Sequence, residues 1–371
     1  MDDLSRFCCL NSRCPDHGVR GGENLSVCGH YGKASIRFLR CRSCGDRFSE
    51  RKGTPLFRSH LTKEKAVAVL EHVADGCGVR QTERLVGVHR DAVTRYIRKA
   101  GDHARAAHDE LVALSPRTTE VQFDEKWSFV AKKEANCDRR DPADDHKGDY
   151  WGHVAYDPEH RLVVAVVPGA RDVEGTEALV DEFHRRTGGR AMRLMTSDAY
   201  PAYETAILDA YGEAVTPART GKPGRPRGAY RVPPAGLVYA TVEKVRKKGR
   251  VVEILTRVVF GTTVAVAAAL VGSRVSRSIN TSLLERQHLT DRHHNARKSR
   301  KTYRFSKDWR YHEAATYFTL YNYNFCWPVR TPREPLGKGR WGRRTPAMAA
   351  GLTDHVWTMD EWISRPVVLR S

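Results

Sequence analysis

Helical spacing governs residues 61–101. In "LTKEKAVAVLEHVADG", Ala66, Val67, Leu70, Val73 and Ala74 share one stripe, with Thr62 placed as N-cap and Gly76 as stop. The next stretch, "VRQTERLVGVHRDAVTRYIRKAG", predicts a short helix, a turn at Gly87–Val88 and a second helix. Leu85, Val88, Val93 and Ile97 would form its small core. Arg90, Thr94, Arg95 and Arg98 would line the outer face, as in a helix-turn-helix presented to DNA. A helical hairpin with a basic solvated face fits the same pattern.

From residue 117 the period shortens. "VQFDEKWSFV" (121–130) alternates as a strand, and an acid-rich loop (134–149) follows. "YWGHVAYD" and "RLVVAVV" read as a hairpin joined by "PEH". An amphipathic helix (173–188), a strand "MRLMTSD" (192–198) and a second helix "AYPAYETAILDAYG" complete a mixed α/β order. Residues 217–236 form a Pro/Gly segment read as a flexible basic loop. Its "KPGRPRG", with Arg225, is similar to the AT-hook core that lies in a minor groove. "LVYATVEKVRKKGRVVEILTRVVFG" (237–261) is a hairpin around Lys248–Gly249, and a helix resumes near Ser278. The stretch from Thr331 is rich in Arg, Gly and Pro before a last amphipathic piece, "MDEWI".

Acids interrupt this pattern at three places. In "VQFDEKWSFV", alternation puts Asp124 with Gln122, Lys126 and Ser128, and Glu125 among Phe123, Trp127 and Phe129. Asp124 is thus expected on an open polar side, where it can serve as a metal ligand. Glu125 needs a basic partner or a local bulge. Asp198 ends a strand, at the tip that faces the ligand crevice in an open α/β sheet, although it can equally cap the next helix. Glu285 is followed by Arg286, Arg292, Arg297, Lys298, Arg300, Lys301, Arg304 and Lys307. Glu285 and Arg292 are about two helical turns apart and share a face. Carboxylates on strand, strand end and helix suit Mg2+ or Mn2+ and phosphoryl transfer. Three acids alone would repel DNA, and divalent cations restore the attraction.

Charge points the same way. Lys and Arg exceed Asp and Glu by 19, which favours nucleic acid over most other partners. Six of the nine cysteines, Cys8, Cys9, Cys14, Cys28, Cys41 and Cys44, lie within residues 8–44. Cys9-x4-Cys14 and Cys41-x2-Cys44 read as a zinc ribbon with a structural, closed site. Cys8 can replace Cys9, and Cys28, His17 and His30 are weaker substitutes. Reduced structural cysteines are the plain alternative. No run reaches the length of a membrane span, and the first residues lack the features of a secretory signal. The expected setting is therefore the cytoplasm, in contact with DNA or RNA.

"FDEKW", "SD" after a strand, and above all "NTSLLERQHLTDRHHNARKSRKTYRFSKD" resemble the DDE transposases of prokaryotic insertion sequences, the insertion-sequence-one type. The resemblance spans most of residues 9–326. It implies an α/β fold with a ribonuclease-H-like catalytic domain, preceded by a zinc ribbon and a helix-turn-helix domain. It implies the boundaries 1–52, 53–115 and 116–330, an inserted basic region at about 213–262, and a basic tail at 331–371. Carried over by motif, the catalytic acids and magnesium ligands are Asp124, Asp198 and Glu285. The zinc ligands are Cys9, Cys14, Cys41 and Cys44. The resemblance places Arg292 on DNA near the cleaved phosphate, and the basic pattern adds Arg90, Thr94, Arg95, Arg98, Arg225, Arg297, Lys298, Arg300 and Lys301 as expected DNA contacts. The implied activity is hydrolysis at transposon ends to expose 3′-hydroxyls, which then attack target DNA. The implied partners are double-stranded DNA and further copies of the chain, in a nucleoid-associated prokaryotic setting. A non-catalytic DNA-binding regulator and a related metal-dependent nuclease are the competing readings. The first cysteine pair departs from the pattern with four intervening residues rather than two. So does the 87-residue interval from Asp198 to Glu285 (285 − 198).

Overall fold

The structure is a computed structural model that describes residues 3–113, 117–217 and 228–368. Arg225 lies outside the described residues. The chain opens with three short strands in one antiparallel sheet, β1 (Leu25–Tyr31), β2 (Ile36–Cys41) and β3 (Arg47–Ser49). Helices α1 (Lys63–Ala74), α2 (Val79–Val86) and α3 (Arg90–Leu111) follow. Next come β4 (Glu120–Val130), β5 (Gly148–Asp157), β6 (Leu162–Gly169), α4 (Val173–Arg186), β7 (Leu194–Asp198) and α5 (Ala202–Tyr211). The small pair β8 (Glu213–Val215) and β9 (Tyr230–Val232) precedes the hairpin β10 (Tyr239–Lys247) and β11 (Arg250–Phe260). The chain continues with α6 (Thr263–Val271), α7 (Ser282–His294) and α8 (Trp309–Cys326). It ends with β12 (Val329–Gly337), β13 (Arg340–Arg344), α9 (Pro346–Ala349) and α10 (Met359–Ser364). Among the described residues no helix is long and apolar enough to cross a membrane.

These elements form two compact units, and the units do not follow the boundaries read from the sequence. One comprises Met1–Leu111, Asp291–Trp327 and His355–Ser371, and the other Val112–Thr290 and Pro328–Asp354. In the first, Thr62 Oγ1 caps α1 by accepting from Lys65 N, and Gly76 follows its end at φ 82°. The turn between α2 and α3 passes through Gly87 at φ 66°, a left-handed conformation that glycine adopts without strain. Val88, Val93 and Ile97 are buried as expected, whereas Leu85 is 58% exposed and lies outside that core. Thr82 is the buried residue of the short α2 instead. Helix α3 runs 22 residues, and its later part packs on α8. A Cβ on Gly101 would stand 2.3 Å from the Ala314 carbonyl oxygen, so only glycine permits this approach. The stretch read as a basic tail folds into regular elements. It carries the β12–β13 hairpin and α9 in the second unit, and α10 in the first. Trp362 and Ile363 of α10 are buried because its apolar side packs on α1 and α8.

His103 of α3 ties this C-terminal piece down. Its ring packs edge-on to Trp362, and its Nε2 donates to the Arg365 carbonyl at 2.8 Å. Burial holds its imidazole down to about 4. The unfolded chain therefore takes up the proton first, at about 6.5. Stability from this residue is complete above that value and is lost as pH falls through 6.5 towards 4. The loss amounts to about 3 kcal/mol over the window. Melting curves between pH 7 and pH 4 should show a shallower acid loss for His103→Asn than for wild type.

The second unit is a mixed six-stranded sheet flanked by helices, with strand order β11-β10-β7-β4-β5-β6. β4, β5 and β6 form an antiparallel meander, β7 runs parallel to β4, and β10 runs parallel to β7. β4 is central, which explains why its alternation misleads. Phe123 packs against Phe183 of α4 and Tyr203 of α5. The opposite face is covered too, with Gln122, Lys126 and Ser128 all buried. Gln122 donates to the Asn280 carbonyl at 3.0 Å and accepts from Leu284 N at 2.9 Å. The start of α7 thus closes the face expected to be open and polar. Residues 217–236, read as irregular throughout, contribute one short strand, β9, which pairs with β8.

Candidate active site

Three acids converge where β4 and β7 lie side by side. Asp124, Glu125 and Asp198 each offer a carboxylate oxygen within 4.8 Å of the others. Parallel pairing brings the end of β7 beside the middle of β4, with Phe123 opposite Ser197. Glu125 is the residue the sequence left unexplained, and its partner is Arg171. Arg171 Nε donates to Glu125 Oε2 at 3.1 Å, and Nη2 donates to Asp198 Oδ2 at 3.3 Å. The same guanidinium lies over the rings of Trp151 and Tyr200, at 5.1 and 4.6 Å. His153 Nδ1 stands 3.8 Å from Glu125 Oε1. Asp198 joins the acid group and does not cap α5, whose N-cap is Pro201 with no side-chain cap; its Oδ1 accepts from Tyr200 N at 3.1 Å in the turn before the helix.

Burial raises Asp124 first, and the charges of Asp198 and Glu125 add to it, so its carboxyl is pushed up to about 8. Asp198 is raised as well, by burial and then by Glu125, against the pull of Tyr200 N–H and Arg171. Carboxyls held up in this way are what a bound cation relieves, and hard oxygen donors suit Mg2+ or Mn2+.

Glu285 stands outside the converging group. It lies in the first turn of α7, where Oε1 accepts from Thr281 Oγ1 at 2.9 Å and from the Lys244 ammonium. Its charge nonetheless contributes to the elevation of Asp124. One turn on, His288 Nδ1 comes 3.5 Å from Asp124 Oδ2. Neither His288, Arg171 nor Lys244 was singled out from the sequence. The spacing of Glu285 and His288 at i and i+3 was the available signal for His288. Nothing local marks Arg171, which is 46 residues from Glu125.

The cysteine group is equally compact. Cys9, Cys14, Cys41 and Cys44 bring their sulfurs within 4.8 Å of one another, with Cys9–Cys44 at 3.7 Å and Cys14–Cys41 at 3.8 Å. A tetrahedral zinc with Zn–S of about 2.3 Å requires S···S of about 3.8 Å, so the donor set fits the ion. Burial works to raise the Cys41 thiol, but the N–H groups of Cys44 and Ser43 outweigh it and bring it down to about 7. Cys8 is buried outside this group, Cys28 donates to the Phe38 carbonyl, and His30 is exposed.

The residues read as DNA contacts divide. Arg90, Arg95, Arg98, Arg300 and Lys301 are exposed, and Thr94 is half-buried with its hydroxyl on the Arg90 carbonyl. Arg292 lies partly buried near the end of α7, and burial brings the Arg297 guanidinium down to about 10. Lys298 does not fit the reading. It is buried, with Nζ 3.1 Å from Asp291 Oδ2, because that internal carboxylate takes its charge.

No protein-family profile and no curated protein matches the chain. Among solved structures, the Mos1 strand transfer complex matches at 15% identity, over 41% of this chain and 55% of that one, with a TM-score of 0.17. The Mos1 transposase paired-end complex with left transposon end matches at 16%, over 41% and 56%, with the same TM-score. The Mos1 mariner paired end complex with Mn matches at 15%, over 41% and 56%, again at 0.17. The chain thus spans little more than half the length of these neighbours, and the likeness is too slight to define a fold.

Proposed function

We propose that this protein is a DNA transposase of the DDE type, with a ribonuclease-H-like domain built on the six-stranded sheet. One observation carries the reading: Asp124 and Asp198 converge at the sheet centre, with Asp124 raised to about 8 and the Glu285 charge felt there. That is a cation site set in a chain of net charge +19. Asp124 and Asp198 would hold Mg2+ or Mn2+, with Glu285 released from Lys244 to complete the set. When bound, such ions activate the attacking water or hydroxyl and neutralise charge on the scissile phosphate. Gln122 fixes the start of α7 and so aims Glu285. The raised carboxyl of Asp124 gives up its proton when a cation arrives. Arg171 donates to Glu125 and Asp198 alike, and so takes up part of the negative charge of the group. Cys9, Cys14, Cys41 and Cys44 hold a structural zinc. Arg90, Thr94, Arg95 and Arg98 face the transposon end, and two copies of the chain bring two ends together.

The test separates the fourth acid from the third. Magnesium and a labelled duplex carrying the inverted repeat that flanks the gene should give 3′-hydroxyl ends and joined products. Asp198→Asn and Glu285→Gln should lower this rate by at least about a hundredfold. Glu125→Gln should retain most of it. Undiminished cleavage by Asp198→Asn and Glu285→Gln would sink the assignment.

A further inference from the structure

The stretch "VRTPREPLGKGRWGRR" (329–344) carries six cations and one acid. It folds as the β12–β13 ribbon, closed by a two-residue turn at Lys338 (φ 48°) and Gly339 (φ 72°). Positive φ at both positions is the hairpin turn that follows strand twist, and glycine supplies one of them without strain. Pairing sets Arg333 opposite Arg343, and Pro335 opposite Trp341. Those four residues therefore share one face of the ribbon. Arg333 stacks 4.3 Å from the centre of the Trp341 ring, and Trp341 is half exposed.

The other face closes on itself. Arg344 lies 3.6 Å from Glu334, and Leu336 packs 3.3 Å from where a Cβ of Gly342 would stand. The only acid of the ribbon is thus spent on Arg344. Arg330, Arg333, Lys338, Arg340 and Arg343 are exposed, and among the described residues none pairs with a carboxylate.

We infer that the β12–β13 ribbon is a second DNA-binding element, which enters a groove of duplex DNA with Trp341 and Pro335 on the base side and Arg333 and Arg343 on the phosphates. A two-stranded ribbon matches the width of a major groove. Five unneutralised cations match the density of backbone charge. An exposed aromatic beside them supplies the apolar contact with sugars and base edges. A membrane surface fits less well, because Trp341 and Leu336 lie on opposite faces and make no continuous apolar side. The inference rests on the reading that this chain acts on DNA.

The full-length protein tests it through fluorescence anisotropy of a labelled duplex across a salt series, without metal. The variant Arg333→Gln/Lys338→Gln/Arg340→Gln/Arg343→Gln should lose about 10- to 100-fold in affinity at low salt. Its log–log salt slope should fall by about 0.9 for each phosphate no longer neutralised. Trp341→Ala should lose about 5- to 10-fold with an unchanged slope, which a general loss of charge does not produce. Equal melting temperatures would show that the exposed substitutions leave the fold intact. If the quadruple variant binds DNA as wild type does, the ribbon inference falls, while the cleavage assay on the acid variants still stands. The same holds if the variant instead loses adsorption to phosphatidylserine vesicles. If wild type binds no duplex at all, both readings fall.

Discussion

Replacing Asp124 by asparagine should stabilise the metal-free protein and abolish the proposed DNA cleavage. The unfolded chain releases the Asp124 proton near 4, whereas the fold keeps it to about 8. Between those values the folded state binds one more proton than the unfolded state, so stability falls as pH rises. The cost at neutral pH is on the order of a few kcal/mol. Asparagine keeps the shape and carries no proton to lose, so the share of the wild-type decline that comes from Asp124 should be missing in the variant, while His103 and Asp198 keep their own pH dependence. Manganese should raise the wild-type melting temperature, and more at pH 8 than at pH 6, where protons compete for the carboxylate. Asp124→Asn should show no such shift, and cleavage should fall at least about a hundredfold. An equal manganese shift in the variant would remove Asp124 from the ligand set.

Removing zinc should have the largest structural effect. The sheet β1–β3 has a small core in which Phe7, Leu25, Leu39 and Phe48 pack with Cys9, Cys14 and Cys41. So few apolar side chains do not offset the ordering of some fifty residues. Zinc at a four-cysteine site supplies about 10–16 kcal/mol in small domains at neutral pH. Chelation, or Cys41→Ser, should therefore melt residues 3–52. Cys41 is one of the four converging sulfurs, and serine in its place removes a thiolate donor. Metal content, rapid tryptic cleavage within this region and weakened end binding are the measurements. A zinc-free protein that resists trypsin there would refute the assignment.

Local periodicity was legible. The strands of the central meander, the helices after β6 and β7, the β10–β11 hairpin and the stripe of α1 all follow from patterns a few residues long. The acids Asp124 and Asp198 stood out because carboxylates interrupt apolar strands. What could not be read depends on who packs against whom. Alternation placed Asp124 on an open side, but it cannot show that α7 covers that side through Gln122. Glu125 demanded a cation, and only the loop after β6 reveals that the cation is Arg171. In the sequence Lys298 is one more charge in a basic run, and only the fold sets Asp291 beside it. Leu85 fell on an apolar stripe too short to decide its own burial. The ribbon at 329–344 was hidden by its composition, because Arg, Gly and Pro obscure strand alternation.

The make-up of the first unit bears on how the protein is born. Its N-terminal helices leave the ribosome well before α8, and α10 follows later still. Helix α3 has small residues, Gly101 among them, where α8 must lie, and His103 waits for Trp362. The second unit lies between these segments in the chain and is nearly finished before they meet. Synthesis therefore holds the N-terminal helices incomplete, in need of protection, until α8 and α10 have emerged. A fragment cut at residue 115 would stay in that nascent state, so α1–α3 are best studied together with α8 and α10.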